Sequence, residues 1–326
     1  MRRSEIFSVA DSPSLTIALT GATGMLGRVL VEQILGDGHA VRALARSRTG
    51  RVLPQRAGLT WVDGSLDDSS SLDALVDGAD CILHAAYCDM NESPPEGRTA
   101  AAHFVQTNIV GTLGLLERTP ATSSGQLVFV SSLAVYGHDP HGAASTSKLA
   151  LDEDFPVWPE EFYGAHKAAL EKMVIAASGE PAMNTSVFRL GCVLGDYEDP
   201  RRDPLGRILD EAFADGVIRT QKGAWVLTAK DASRILCHAL GDGSVRGGIF
   251  NTFDRWMDFA EVADPLGRIL GRKIEVECER TPCPQPAIRR DRLQEWWSDW
   301  QTEGGVQALI EAKIEQRDRS KEESNG

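Results

Sequence analysis

Short apolar runs alternate along the chain with stretches whose apolar residues recur at helical spacing. Leu15-Thr-Ile-Ala-Leu19 runs into a glycine-rich turn and predicts a buried strand. Leu26, Leu30, Val31, Ile34 and Leu35 follow on one helical face, and Gly36-Asp37-Gly38 stops that helix. Further strands are predicted at 40–44, 59–62, 81–84, 127–130 and 185–190. A short helix near 73–76 and longer ones over about 101–118 and 160–177 lie between them. This alternation predicts an α/β fold with a doubly wound parallel sheet. The strands are apolar throughout rather than alternating, as expected of a sheet covered on both faces. After Gly191 the pattern changes. Residues 195–204 are rich in Asp, Arg and Pro and read as a surface loop. Short strands are predicted at 225–228 and 248–251, and helices near 259–270 and 306–314. This half predicts a smaller C-terminal substrate-binding lobe.

Composition adds limits. The 326 residues are 42% hydrophobic and 25% charged, ordinary for a globular protein, with room for one large domain or two small ones. A formal charge of −13 argues against nucleic acid or an anionic membrane as partner. No apolar run approaches the ~18–20 residues of a membrane span. The six cysteines form no CxxC pair and no metal-ligand cluster, so reduced thiols and a cytoplasmic location are expected, with Cys81 and Cys192 packed in apolar runs. Arg2-Arg3 precedes no separate signal core, because the next apolar run is the first strand; residues 1–13 read as a flexible leader. Residues 316–326 are charged and lack apolar anchors, which predicts a flexible tail. His138, His141 and His166 read as surface residues, and Trp256, Trp296, Trp297 and Trp300 as packing residues of the last third.

The candidate chemistry starts at the first turn. Gly21, Gly24 and Gly27 close a strand and open a helix, which is the setting of a dinucleotide-binding turn. A helix N-terminus there offers N–H groups and positive dipole to a pyrophosphate. The second strand ends in Ala45-Arg46-Ser47-Arg48, with no carboxylate to hold the ribose hydroxyls of NAD. Arg46 can pair with a 2′-phosphate, so NADP(H) is the expected cofactor and NAD(H) the alternative. Downstream, Tyr163 and Lys167 stand four apart on one predicted helix, with Ser131-Ser132 ending a strand. A lysine so placed can lower a tyrosine's pKa. A phenol tuned in this way transfers protons to carbonyls or from alcohols.

These segments resemble, in order, the motifs of the extended short-chain dehydrogenases/reductases, the NAD-dependent epimerase/dehydratase family. Thr20-Gly-Ala-Thr-Gly-Met-Leu-Gly27 resembles its TGxxGxxG turn and His84-Ala-Ala86 its cofactor-lining segment. Asn108-Ile-Val-Gly-Thr112 with Leu115-Leu116 resembles NxxGTxxLL, and Val130 to Gly137 resembles SSxxVYG. Tyr163 to Lys167 is YxxxK, Arg189 to Gly195 resembles RPxxVYG, and Asp231-Ala-Ser-Arg234 resembles DxAR. The matches cover roughly residues 15–255.

The resemblance implies a Rossmann-type NAD(P)-binding domain at 14–190 plus about 225–252, and a substrate lobe at about 191–224 plus 253–315. It implies a catalytic set of Ser132, Tyr163, Lys167 and Asn108: Ser132 holds the substrate oxygen, Tyr163 moves the proton, Lys167 binds the nicotinamide ribose, and Asn108 is a structural or relay residue. Cofactor contacts are expected from Gly21, Thr23, Gly24, Met25, Leu26, Gly27, Arg46, Ser65, Leu66, Ala85, Ala86, Tyr87, Tyr163 and Lys167. A homodimer through the helices at 101–118 and 160–177 is implied as well.

Three departures shape the expected reaction. Ser65 stands where the family has the Asp that touches adenine. No acidic pair accompanies Ser132, which argues against a sugar-nucleotide 4,6-dehydratase. Cys192 replaces an Asn that faces the substrate diphosphate in sugar-nucleotide enzymes. The expected function is therefore NAD(P)-dependent reduction of a ketone, or oxidation of a secondary alcohol, on a largely apolar small-molecule substrate touching Ser132 and Cys192. The alternatives are a nucleotide-sugar epimerase, with Arg201 and Arg202 as diphosphate clamp, and a non-catalytic cofactor sensor. Specificity is assigned to residues 88–100, 192–224 and those after 253.

Overall fold

A computed structural model describes residues 13–46, 54–90, 97–120, 125–137, 151–179, 183–198, 202–219, 223–277, 287–303 and 305–325. Ser47, Arg48, His138, His141, Arg201 and nearly all of the leader lie outside the described residues.

The predicted apolar runs become strands β1 (Thr16–Thr20), β2 (Ala40–Ala45), β3 (Leu59–Asp63), β4 (Cys81–His84), β5 (Gln126–Ser132) and β6 (Asn184–Leu190). Two short strands follow, β7 (Cys192–Leu194) and β8 (Val217–Ile218). The last four are β9 (Gly223–Thr228), β10 (Ile249–Thr252), β11 (Arg255–Asp258) and β12 (Glu275–Val276). The central sheet has the order β10-β6-β5-β4-β1-β2-β3. Pairs β1/β2, β2/β3, β1/β4, β4/β5 and β6/β10 are parallel. This is the doubly wound Rossmann order with one strand added beyond β6. The reversal of strand order at β1 leaves the turn after that strand at the switch point, where ligands bind in such sheets.

By contact density the chain divides into two units. The first contains residues up to Phe129 together with Met173–Ser186 and Leu236–Gly247. Ile17, Leu19, Leu30, Ile34, Leu75, Ile82, Leu83 and Leu115 are its fully enclosed core residues. The second contains Val130–Lys172, Val187–Ile235 and Gly248–Gly326. It builds its own small sheet, β11-β9-β7, around a core that includes Leu194, Leu209, Val226, Met257, Val262, Leu266, Ile310 and Ile314. The motif-based domain border ran at about 190, whereas contact density groups Val130–Lys172 with the later unit.

Three helices differ from their patterns. The helix expected over 101–118 is α-helical at Ala100–Phe104, widens to a π-helical turn at Val105–Val110, and resumes at Gly111–Glu117. The stretch near 259–270 starts as a 3₁₀ turn, Phe259–Val262, under an Asp258–Glu261 capping box, and becomes α-helical at Ala263–Leu270. The last helix does not stop at 314 but runs from Gly305 to Asn325. Beyond Ile314 the apolar stripe ends, and polar contacts carry the helix on: Arg317 Nε donates to Asp210 at 2.8 Å, and Arg319 pairs with Glu315 one turn back. The tryptophans pack. Trp296 lies against Phe188 and Phe250 at ring separations of 5.8 and 5.4 Å, and Trp225 lies against Phe253 and Trp256.

Candidate active site

The glycine turn belongs to the first unit. Gly21 has φ of +79°, a conformation that glycine adopts without strain. A Cβ there would stand 2.8 Å from the Ala85 carbonyl carbon and the Ala86 nitrogen, so the turn lies directly on the segment after β4. A Cβ on Gly27 would collide with the Gly21 carbonyl, so this residue must be small for the helix Met25–Gly36 to start where it does. Gly24 differs: only the Gly21 oxygen, at 3.3 Å, approaches its Cβ position. The helix begins with no side-chain cap on Gly24 and no acidic residue in its first turn. Thr23, Met25 and Leu26 occupy the rim, each partly exposed. Open space above an uncapped helix N-terminus fits a pyrophosphate.

A buried hydrogen-bond chain fixes the neighbouring segment. Thr112 Oγ1 donates to the Asn108 carbonyl at 2.5 Å, so it accepts from His84 Nε2–H at 2.8 Å. His84 Nδ1 then accepts from Thr20 Oγ1 at 2.7 Å, and Thr20 Oγ1 accepts from Ala86 N–H at 3.3 Å. Both ring nitrogens of His84 are thereby engaged and its ring orientation is fixed. Asn108 lies in the π-helical turn and is buried. Its Oδ1 accepts from Cys88 N–H at 2.9 Å and its Nδ2 donates to Cys88 O at 2.8 Å. Both ends of the Asn108 amide thus clamp the strand-end loop. Tyr87 stands edge-on to Phe104.

The remaining cofactor candidates of this unit are dispersed around it. Leu66 is buried against Gly111. Ser65 turns its hydroxyl to Asp67, which also pairs with Arg98. Burial works to raise the Asp67 carboxyl, but the hydrogen bonds from Ser65 and Arg98 outweigh it and hold the group below its ordinary range. Arg46 is exposed at the end of β2, with no acidic side chain at position 45 or 46.

The proton-transfer set belongs to the second unit. Ser132 ends β5 and caps the following 3₁₀ turn, Leu133–Val135, accepting from Ala134 N–H at 3.1 Å. Its own proton remains to be donated, and it hydrogen-bonds the Tyr163 phenol. Tyr163 opens the helix Phe162–Ala177. Gly164 lets that helix lie on the Ala134 carbonyl, where any Cβ would collide, and this contact sets Tyr163 beside Ser132. Burial raises the phenol above 10, against the opposing pull of the Ser132 hydrogen bond. Charge proximity predicted the reverse. The phenol is consequently a protonated acid at neutral pH.

Lys167 is buried, and its Nζ donates to Val130 O at 2.8 Å. Burial pushes the ammonium down to about 8, with Glu171 opposing. His166 is not the surface residue its sequence suggested. It is 6% exposed, its Nδ1 lies 3.1 Å from Tyr163 O, and burial together with Lys167 pushes it down to about 4.

Cys192 is half-buried on β7, and burial pushes its thiol up to about 11. Tyr197 had no signal in the sequence reading. Its hydroxyl donates to Val193 O at 2.7 Å, and burial raises its phenol, with Cys192, Asp203 and Tyr163 adding to the rise. Tyr197 thus stands near Cys192 and Tyr163, with the charges of Asp203 and Arg202 also within reach. Thr228 caps the helix Ala229–His238, its Oγ1 accepting from Asp231 N–H and donating to the carboxylate of Asp231 (of the DxAR match), which also accepts from Glu303 N–H. Arg234 donates to Gln301 O, so this motif holds the C-terminal segment and not a substrate.

The fold is a doubly wound sheet with an uncapped glycine turn after β1, and the end of β5 and the helix Phe162–Ala177 carry Ser132, Tyr163 and Lys167. The profile of the NAD dependent epimerase/dehydratase family matches residues 17–239, and the chain belongs to that family. It is 30% identical over 225 residues to a 4-hydroxy-2-methyl-3-oxo-4-farnesyl-3,4-dihydroquinoline-1-oxide ketoreductase of Stigmatella aurantiaca, covering 68% of this chain and 60% of that one. It is 28% identical over 191 residues to a decarboxylating sterol-4-alpha-carboxylate 3-dehydrogenase of Dictyostelium discoideum, covering 56% of this chain and 55% of that one. These matches span little more than half the length of the curated relatives. Among solved structures, MoeE5 in complex with UDP-glucose and NAD superposes with a TM-score of 0.73 at 20% identity, over 94% of this chain and 99% of that one. The dTDP-glucose 4,6-dehydratase of Bacillus anthracis in complex with NAD gives 0.74 at 18% identity, over 95% and 98%.

Among the described residues, no helix is long and apolar enough to cross a membrane, and no group of His, Cys, Asp and Glu has a metal-binding arrangement. The four described cysteines are free thiols.

Proposed function

We propose that this protein is an NAD(P)-dependent oxidoreductase that reduces a ketone, or oxidises the corresponding secondary alcohol, on a largely apolar small molecule. The observation that carries the reading is the half-buried Tyr163 phenol, hydrogen-bonded to Ser132, with the Lys167 ammonium one helical turn along. The dinucleotide supplies the hydride. Ser132 orients the substrate oxygen beside Tyr163 by turning its hydroxyl from the phenol to that oxygen, and Tyr163 delivers a proton to it as it gains charge, or takes one in the reverse direction. Cys192 and Tyr197 present uncharged surfaces beside Tyr163, which suits an apolar substrate better than a diphosphate. The two curated relatives named above are a ketoreductase and a 3-dehydrogenase, which favours the same chemistry.

Tyr163→Phe tests the assignment: hydride transfer is lost while the fold persists. Unchanged turnover in the variant rules the assignment out. An epimerase would show no net cofactor turnover with its substrate, so stoichiometric oxidation of the reduced cofactor separates the two readings.

The Arg46 side chain, exposed where a carboxylate would select NAD, supports a preference for NADP(H). Solved relatives hold NAD, so the test is a fluorescence titration of both cofactors; tighter NADH binding removes the preference. A cytoplasmic homodimer is the proposed assembly. Val105, Val110 and Leu113 on one helical segment, and Phe162 and Met173 on another, are exposed apolar residues that such an interface would cover. Light scattering that gives a monomer at micromolar concentration would exclude it.

A further inference from the structure

Glu171 follows Lys167 by one turn on the helix Phe162–Ala177, so Tyr163, Lys167 and Glu171 share one face. Its carboxylate is 1% exposed and fully engaged. It accepts from Ser131 Oγ at 2.5 Å, Arg189 Nε at 3.0 Å and Arg189 Nη2 at 2.8 Å. Arg189 is also enclosed, and its Nη1 donates to Tyr136 Oη at 2.8 Å. Isolated charges of this kind are not stable in an interior; they neutralise or find a partner.

Here two cations, Arg189 and Lys167, are enclosed with the Glu171 carboxylate, and a second buried acid, Glu153, faces Arg189 from the other side with its carboxyl raised, first by burial. Arginine does not give up its proton, so the cluster's one removable proton of the cationic side rests on Lys167. The other titratable groups of the cluster are driven toward their neutral forms. His166 is pushed down to about 4, Tyr163 is raised, and Tyr136 is pushed up to about 12, each with burial as the leading cause. Ser131, Ser132 and the Val130 carbonyl complete the surroundings on β5.

We propose that Glu171 is a positioning residue of the proton-transfer set, locked by Arg189 and Ser131 so that its negative charge keeps the enclosed Lys167 ammonium protonated. The catalytic meaning of this role rests on the function proposed above; the charge coupling itself does not. A structural role alone would make Glu171 important to stability and leave Lys167 unaffected.

Lysine ¹³Cε NMR on the full-length protein separates these, with the Lys167 resonance identified by its loss in Lys167→Met. In the wild type the resonance titrates near 8. In Glu171→Gln the midpoint falls by about one pH unit or more. The alkaline limb of turnover moves with it, so the rate at mildly alkaline pH drops on the order of tenfold. An unchanged midpoint in the folded variant overturns the proposal. Should Glu171→Gln not fold, the wild-type titration decides: a midpoint near 8 supports the coupling, and one below neutrality overturns it. Failure of the catalytic reading would look different, with Tyr163→Phe still active and the Lys167 titration as expected.

Discussion

Tyr163 and Lys167 are four residues apart in the sequence, and nothing in that spacing fixes their ionisation. The structure buries Lys167 and half-buries Tyr163. Burial disfavours the charged form of each, so the phenol rises and the ammonium falls. Turnover in the reductive direction should therefore decline as pH rises through about 8, where Lys167 loses its proton, well before the phenol ionises. A pH–rate profile of kcat/KM checks this; a flat profile through pH 9 would contradict it. Tyr163→Phe should cost about 10²–10⁴-fold in rate, the range for losing a positioned acid, without lowering Tm. The glycine turn carries its own prediction. Gly21→Ala forces a side chain onto the Ala85–Ala86 backbone at positive φ, so it should lower Tm as well as cofactor affinity. Gly24→Ala meets only the Gly21 carbonyl oxygen, at 3.3 Å and at negative φ, so it should lower Tm less than Gly21→Ala while weakening cofactor binding. Equal thermal stability of the two variants, measured by calorimetry, would contradict this assignment of the turn.

At the scale of elements, the π-helical turn Val105–Val110 and the buried Thr20–His84–Thr112 chain fix the same loop. Asn108→Ala would leave the Cys88 N–H and C=O without partners, a loss of about 1–3 kcal/mol, and should also weaken cofactor binding. Denaturant unfolding with and without cofactor measures both. The second unit has a comparable fixture. Lys313 on the last helix donates to Asp203 at 2.8 Å, and Asp203 in turn caps the helix Pro204–Asp215 through Gly206 N–H. Lys313→Met would strand a buried carboxylate at a cost of about 3–5 kcal/mol. Neither device was legible beforehand. Asn108 was noticed for its motif, but a π turn has no periodicity that separates it from an α-helix. The Lys313–Asp203 pair joins residues more than a hundred positions apart. Glu171 is legible in principle, because a carboxylate four residues after Lys167 lies on the helical face that carries Tyr163 and Lys167.

Across the whole molecule, enclosed titratable groups govern the response to pH. His166 is pushed down to about 4 in the folded protein from an ordinary 6.5. Between those values the unfolded chain binds a proton that the folded one does not, so stability falls as pH drops from 6.5 toward 4. The slope from this group is at most about 1.4 kcal/mol per pH unit. His238, also lowered by burial, adds in the same direction. Lys167 acts in the alkaline window: between about 8 and 10.5 the unfolded chain holds the extra proton, so stability rises with pH there. Melting temperatures across pH 4–7 for the wild type and His166→Gln test the acid limb, with a shallower decline expected in the variant.

The sequence by itself determined the α/β class, the glycine turn and the family, and it singled out Ser132, Tyr163 and Lys167 as candidates. Each is written in local signals: apolar runs bounded by turns, glycines where a Cβ would collide, and a four-residue spacing that puts two side chains on one helical face. The tertiary structure alone decided the ionisation of those residues, the burial of His166, the clamp role of Asn108, the helix beyond Ile314, and the Glu171–Arg189 pair beside Lys167. These depend on which distant residues exclude water or supply a hydrogen bond, and desolvation is a property of the packed interior that no stretch of sequence carries.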